Sequence, residues 1–399
     1  MNSRLDLLHP YPFQKLRALL GSAGAPPQNL APINMSIGEP RHAAPECVLN
    51  ALRNNLQGLS VYPATQGDAA LREAIAQWLA RRYLIPAPDA DTQVLPVLGS
   101  REALFAFAQV VLDPARGGKV VCPNPFYQIY EGATLLAGGE PYYVNADPAR
   151  NFGCDWLAVP EAVWRDTRLV FVCSPGNPAG NVMSLEDWRV LFALSERYGF
   201  VIASDECYSE IYLDEAAPPL GALRAAHELG RDYARLMVFS SLSKRSNVPG
   251  LRSGFVAGDA ALVAPFLRYR TYHGSAMSAV VSAASIAAWS DEAHVRDNRR
   301  QYREKFDAVL PLLQPVLDVQ APQASFYLWA RVPGSDAEFA ARLYASTGVT
   351  ILPGSFLARE AGGINPGQGR LRLALVAEPE QCRQAAERIA GYAATAAAL

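Results

Sequence analysis

Leu236-Met237-Val238-Phe239 leads through Ser240 into Ser241-Leu242-Ser243-Lys244-Arg245, and then into Asn247-Val248-Pro249-Gly250-Leu251-Arg252-Ser253-Gly254. A short apolar run of this kind reads as a buried strand. A lysine set among hydroxyls at its end is poorly solvated, and a desolvated amine gives up its proton readily. Lys244 is therefore a candidate Schiff-base nucleophile; the plainer reading is a surface lysine in a Ser-rich loop. Two other stretches decide between them. Leu169-Val170-Phe171-Val172 ends in Cys173-Ser174-Pro175-Gly176-Asn177-Pro178-Ala179-Gly180, and Phe200-Val201-Ile202-Ala203 ends in Ser204-Asp205-Glu206-Cys207-Tyr208. Three successive strands thus end in turns carrying Asn177, Asp205 and Lys244. Open α/β sheets bind ligands at the carboxyl ends of their strands, so the three belong in one crevice.

The rest of the chain alternates strand and helix patterns, which implies a parallel sheet covered on both faces. A helix is expected after Pro12 as far as Gly21, and another from Ala69 to Tyr83 with Leu71, Ile75, Trp78, Leu79 and Arg82 on one buried stripe with a charged flank. Gln93 to Leu98 reads as a strand. Gly99-Ser100-Arg101-Glu102 then opens a helix to about Leu112, whose free N–H groups offer a seat for an anion. Strands are also expected at Lys119 to Cys122 and Gly254 to Gly258, a helix from about Trp188 to Tyr198, and one long helical region from Ser278 through Arg299 and Leu313. Ser325 to Ala330, Ala337 to Thr347 and Arg370 to Leu375 read as a βαβ-like unit.

Taken together, the three turns resemble those of the fold-type I pyridoxal 5'-phosphate (PLP) aminotransferases of class I/II, and the resemblance runs from about Pro12 to about Ala390. It implies an α/β fold with a large domain, built on a mostly parallel sheet covered by helices, and a smaller α/β domain. The expected division is an N-terminal segment (1–45) packing with the small domain, a large PLP-binding domain (46–285) and a small C-terminal domain (286–399). By the same resemblance Asp205 pairs with the pyridine nitrogen, and Asn177 and Tyr208 hold the phenolic oxygen. The phosphate falls to the N–H groups of Ser100 and Arg101, to Ser241 and Arg252, with Ser243 as a further donor, and to Tyr62 of a neighbouring subunit. An aromatic residue stacks on the ring; the frame points to Tyr127, with Phe126 as the alternative. Gly38 brings its backbone to the substrate, Arg372 takes the α-carboxylate with Arg370 as a confounder, and Lys244 is both anchor and proton carrier. Arg245 is solvated or structural. Tyr269-Arg270-Thr271-Tyr272-His273-Gly274 is a candidate for holding the substrate's distal group, with the site of the neighbouring subunit within its expected reach.

Composition sets the outer bounds. With 399 residues, half of them hydrophobic, the chain can bury a large core, and a net charge of -2 leaves no electrostatic footprint for nucleic acid or an anionic membrane. The six cysteines form no CxxC pair and read as reduced thiols; no metal centre is expected. No run reaches the roughly 18 apolar residues of a membrane span, so a cytoplasmic protein is expected. The tail Ala393-Ala394-Thr395-Ala396-Ala397-Ala398 reads as a fraying helix end. The expected activity is transfer of an amino group between an amino acid and 2-oxoglutarate by a homodimer with shared sites. More narrowly, Lys244 to Gly254 is similar to the matching run of bacterial N-succinyldiaminopimelate aminotransferases of lysine biosynthesis. The alternatives are an aspartate, alanine or aromatic aminotransferase, or a PLP-dependent carbon-sulfur lyase. A PLP-binding regulator would need a basic DNA-binding module, which the N-terminal sequence does not show.

Overall fold

Strands that are apolar on both faces must be covered on both, and this requirement builds the molecule. In the computed structural model, which describes residues 1–396, the strands are β1 (Ile33–Asn34), β2 (Val94–Val97), β3 (Lys119–Asn124), β4 (Glu140–Asp147), β5 (Gly153–Cys154), β6 (Thr167–Cys173), β7 (Val201–Asp205), β8 (Leu236–Ser241), β9 (Gly254–Gly258), β10 (Tyr327–Arg331), β11 (Val349–Thr350), β12 (Leu352–Pro353) and β13 (Arg370–Ala374). The large sheet has the order β2-β9-β8-β7-β6-β3-β4-β5. From β8 to β4 every neighbouring pair is parallel; β9 runs antiparallel to β2 and β8, and β5 antiparallel to β4. Strand order reverses between β3 and β6, and a crevice opens at such a switch point. There β6, β7 and β8 end side by side, with Cys173 paired to Asp205 and Asp205 to Phe239.

The two faces separate along every central strand. Leu236 and Val238 of β8 enter one core with Val170 and Val172 of β6, while Met237 and Phe239 enter the other with Leu169 and Phe171. Helices Ala69–Tyr83, Leu185–Tyr198 and Ala279–Ser290 cover the first face; Ser100–Val111, Ile129–Leu136 and Ala260–His273 cover the second. The first long helix, Pro12–Ser22, starts on Pro12 itself, since proline is favoured at the first helical position.

A further core joins Ile33 and Met35 to residues from Phe306 to Ala393. β1 pairs parallel with β11, Ile33 opposite Val349, so the N-terminal segment is stitched to the C-terminal part. The small sheet corrects the βαβ expectation. Its order is β10-β13-β12, and the two strands of the expected unit, β10 and β13, do lie side by side but run antiparallel, as β12 does to β13. The single helical region expected beyond Ser278 is also two helices, Ala279–Ser290 and Ala293–Leu313. The Asp291 carboxylate accepts the His294 N–H at 3.0 Å, close to the start of the second helix. Helix Pro379–Ala396 takes in the first part of the Ala-rich tail, and Ala397 and Ala398 lie outside the described residues. Among the described residues no helix is long and apolar enough to cross a membrane.

Candidate active site

The ends of β6, β7 and β8 open into a cavity of about 600 Å³. Gly38, Ser100, Arg101, Tyr127, Asn177, Asp205, Tyr208, Ser241, Lys244, Arg252 and Arg372 all line it, and so does Ser243. Sequence-distant residues therefore converge as expected. Tyr62 is the exception: it is 97% exposed and lines no part of the cavity in its own chain.

Lys244 lies in the short helix Leu242–Arg245, which the Ser241 hydroxyl caps by accepting the Ser243 N–H at 3.0 Å. Its amine donates to the Gly38 carbonyl. Burial, the dominant influence, pushes the amine down to about 8, against a smaller opposing effect of Cys207. The buried Asp205 carboxyl is pushed above its ordinary range by desolvation, although it accepts the Tyr130 hydroxyl at 2.8 Å and the Cys207 N–H at 3.2 Å. Tyr130 was not singled out from sequence. It orients the carboxylate from helix Ile129–Leu136, and a tyrosine inside a helix gives no local signal of such a partner.

At the opposite wall, Gly99 precedes helix Ser100–Val111 with φ +85, and a Cβ there would lie 2.4 Å from Arg252 Nη2. Both the backbone conformation and the approach of the guanidinium call for glycine. Arg252 donates to the Pro249 carbonyl at 2.6 Å and to the Leu98 carbonyl at 3.3 Å, which keeps it beside the helix start. Cys207 Sγ donates to Ser100 Oγ at 2.9 Å. The result is a positive helix end next to a guanidinium, an arrangement suited to a phosphate.

Packing sets the two candidate aromatics apart. Tyr127 lines the cavity and accepts Arg101 Nε at 2.5 Å, whereas Phe126 is 1% exposed and stacks on Tyr143 with ring centroids 5.2 Å apart. Arg372 is buried; it donates to Asn177 Oδ1 at 2.9 Å and to the Ser36 carbonyl at 2.7 Å, and its Nε finds no partner among the described residues. Arg370 lies outside the cavity, over the Phe152 ring at 4.7 Å. Tyr208 and Tyr327 share a 3.0 Å hydroxyl contact, and a Cβ at Gly38 would lie 1.9 Å from the Tyr327 hydroxyl, so only glycine fits that turn. Tyr327 was also missed from sequence, being one aromatic among several in an apolar strand.

Neither Arg245 nor Arg270 lines the cavity of its own chain. Arg245 is buried, donating to the Ala288 carbonyl at 2.6 Å and to Glu292 at 2.5 Å, so its role is structural. Arg270 is buried against Glu102.

A carboxylate, a lysine amine of lowered pKa and a phosphate-type seat thus share one space with a buried, part-unpaired guanidinium. The profile described as "Aminotransferase class I and II" matches residues 31–389. The chain belongs to the class I and II aminotransferases. An LL-diaminopimelate aminotransferase of Nitratidesulfovibrio vulgaris is 32% identical over 393 residues, 97% of each chain. A solved aminotransferase from Neisseria meningitidis is 54% identical with a TM-score of 0.95, covering 98% of this chain and 99% of that one. A structure described as a probable N-succinyldiaminopimelate aminotransferase from Thermus thermophilus is 26% identical with a TM-score of 0.85, covering 96% and 100%. The family depends on PLP, and the donor set of this aminotransferase fits that group: an acid for the pyridine nitrogen, an amine for the aldehyde and a cationic helix end for the phosphate.

Proposed function

We propose that this aminotransferase exchanges an amino group between N-succinyl-LL-diaminopimelate and 2-oxoglutarate. The observation that carries the transamination chemistry is the meeting of Lys244, Asp205 and Arg372 in one cavity. The substrate rests on a different footing: the likeness of Lys244 to Gly254 to the N-succinyldiaminopimelate enzymes, and the diaminopimelate skeleton common to the names of the N. vulgaris and T. thermophilus relatives.

When bound, PLP supplies an electron sink for the charge that develops at the substrate α-carbon. Asp205 holds the proton on the pyridine nitrogen, with Tyr130 orienting it. Asn177 and Tyr208 would hold the phenolic oxygen, and Tyr127 would offer its ring to the cofactor. Ser100, Arg101, Ser241 and Arg252 would hold the phosphate, Ser243 would add a hydroxyl, and Tyr62 of a second copy of the chain would complete the seat. Arg372 takes the substrate α-carboxylate, its pairing to Asn177 placing both side chains at that group. The Gly38 backbone borders the substrate. Lys244, with its lowered pKa, would be the free base that takes the proton from the substrate α-carbon.

The 30–32% relatives named for LL-diaminopimelate support a second reading, in which the donor carries no succinyl group. Glutamate formation from 2-oxoglutarate, measured with a panel of donors, separates the two. N-succinyl-LL-diaminopimelate is expected to give a kcat/KM at least about tenfold above free LL-diaminopimelate, aspartate, alanine and the aromatic amino acids, a gap of about 1.4 kcal/mol. A preference for free LL-diaminopimelate would favour the second reading, and a preference for any of the others would defeat both.

A further inference from the structure

Helices Ser100–Val111 and Ala260–His273 pack through apolar contacts such as Phe107 on Phe266, centroids 5.6 Å apart. At the cavity end this packing is interrupted by one ion pair. Arg270 Nη1 contacts both carboxylate oxygens of Glu102, at 2.6 and 2.7 Å, and the arginine side chain is 1% exposed. Arg270 Nη2 donates to the Ser275 carbonyl at 3.2 Å, while Ser275 Oγ donates to Glu102 at 3.1 Å and lies 2.8 Å from His273 Nδ1. Its Nε has no partner among the described residues but is buried, so the side chain offers no exposed edge to a substrate. Its acidic partner, however, sits one residue after Arg101 and two after Ser100, at the helix end that faces the cavity.

We propose that Arg270 is a positioning residue for the phosphate seat. Glu102 is a carboxylate in the first turn of the helix, where it favours the helix dipole but opposes a second anion bound at the same end. Arg270 compensates that charge from behind the helix, turns the carboxylate away from the cavity and ties the Ser275 loop to the helix start. The helix end can then present its N–H groups to a doubly charged ligand without a neighbouring bare carboxylate. This rests on the reading of Ser100 and Arg101 as phosphate donors.

The test compares PLP with pyridoxal, which lacks the phosphate, by titrating the cofactor-free full-length chain and its variants. Arg270→Met is expected to weaken PLP at least about tenfold while pyridoxal changes less than about threefold, because only the phosphate meets the uncompensated charge. The double variant Glu102→Gln, Arg270→Met is expected to return PLP affinity to within about threefold of wild type, since both charges are gone. Equal weakening of PLP and pyridoxal, or a double variant no better than the single one, would overturn the proposal in favour of a purely structural pair. Should Arg270→Met not fold, Glu102→Gln alone is expected to raise the preference for PLP over pyridoxal, and an unchanged or lower preference overturns the idea. A wild-type chain holding PLP no more tightly than pyridoxal would remove the phosphate assignment itself, a failure distinct from one confined to the variants.

Discussion

The Lys244 amine, pushed down to about 8 by burial, is half in its free-base form near pH 8, where an ordinary lysine is almost wholly protonated. The cofactor-free chain is therefore expected to react with pyridoxal at a rate that rises through a midpoint near pH 8. A midpoint near the ordinary value of about 10.4 would refute the burial argument. The stability sign follows from the same displacement. Between the folded and unfolded pKa values the unfolded chain binds more protons, so burying Lys244 costs stability below about 8, and that cost is relieved as pH rises through the window. Lys305 shifts in the same direction, but it is buried against His42 at 2.6 Å and the Val376 carbonyl at 3.3 Å, away from the cavity. Lys15 and Lys119 do not line the cavity either. Lys244→Ala should consequently abolish transamination, and borohydride treatment should leave no cofactor attached after denaturation; covalent attachment that survived would point to another lysine. Asp205→Asn should still bind PLP but lower kcat at least about 100-fold, about 2.7 kcal/mol of barrier, because the pyridine nitrogen loses its ionic partner. A loss within about threefold would exclude that role.

At the scale of elements, the phosphate seat depends on how one helix begins. Gly99 has φ +85 and leaves no room for a Cβ beside the Arg252 guanidinium. Gly99→Ala is thus expected to move Arg252 or the helix start, and to weaken PLP binding at least about tenfold while the chain stays folded, as followed by circular dichroism. Unchanged affinity would mean that Arg252 is not needed at that spot. Helix Ala69–Tyr83 shows the opposite situation, an element legible in every part. Its bounds coincide with the expected ones, Asp68 caps it by accepting the Ala70 N–H at 2.8 Å, and Leu71, Ile75, Trp78 and Leu79 of the expected stripe are buried. Its apolar spacing and capping residue are both local signals.

At the scale of the whole molecule, Tyr62 has no task within its own chain. Leu56, Leu59 and Val61 are exposed beside it, a cluster that a second copy would cover. A complementation experiment tests the shared site. Tyr62→Phe should weaken PLP about tenfold or more, the loss of a hydrogen bond to a charged group, and Lys244→Ala should be inactive. Subunits of the two variants, unfolded and refolded together, should regain activity at limiting PLP, since a mixed dimer has one site with Lys244 from one chain and Tyr62 from the other. A mixture no better than Tyr62→Phe alone, with mixed dimers present by mass, would mean that each chain is self-sufficient.

Sequence alone was enough to determine which strands end in chemistry, because an apolar run and the polar turn after it are set by neighbours a few residues apart. Asn177, Asp205 and Lys244 could be read in that way, and so could the glycine before helix Ser100–Val111. Tertiary structure decided which of Phe126 and Tyr127 faces the cavity, since both lie in one turn and packing against Tyr143 claims the first. It also decided the place of β13 between β10 and β12, which no local period encodes. Arg270 makes the distinction plainest: its partner Glu102 lies 168 residues away, and Tyr130 lies 75 from Asp205. Such pairings follow from how helices pack across a sheet, a geometry that exists only once the chain has folded.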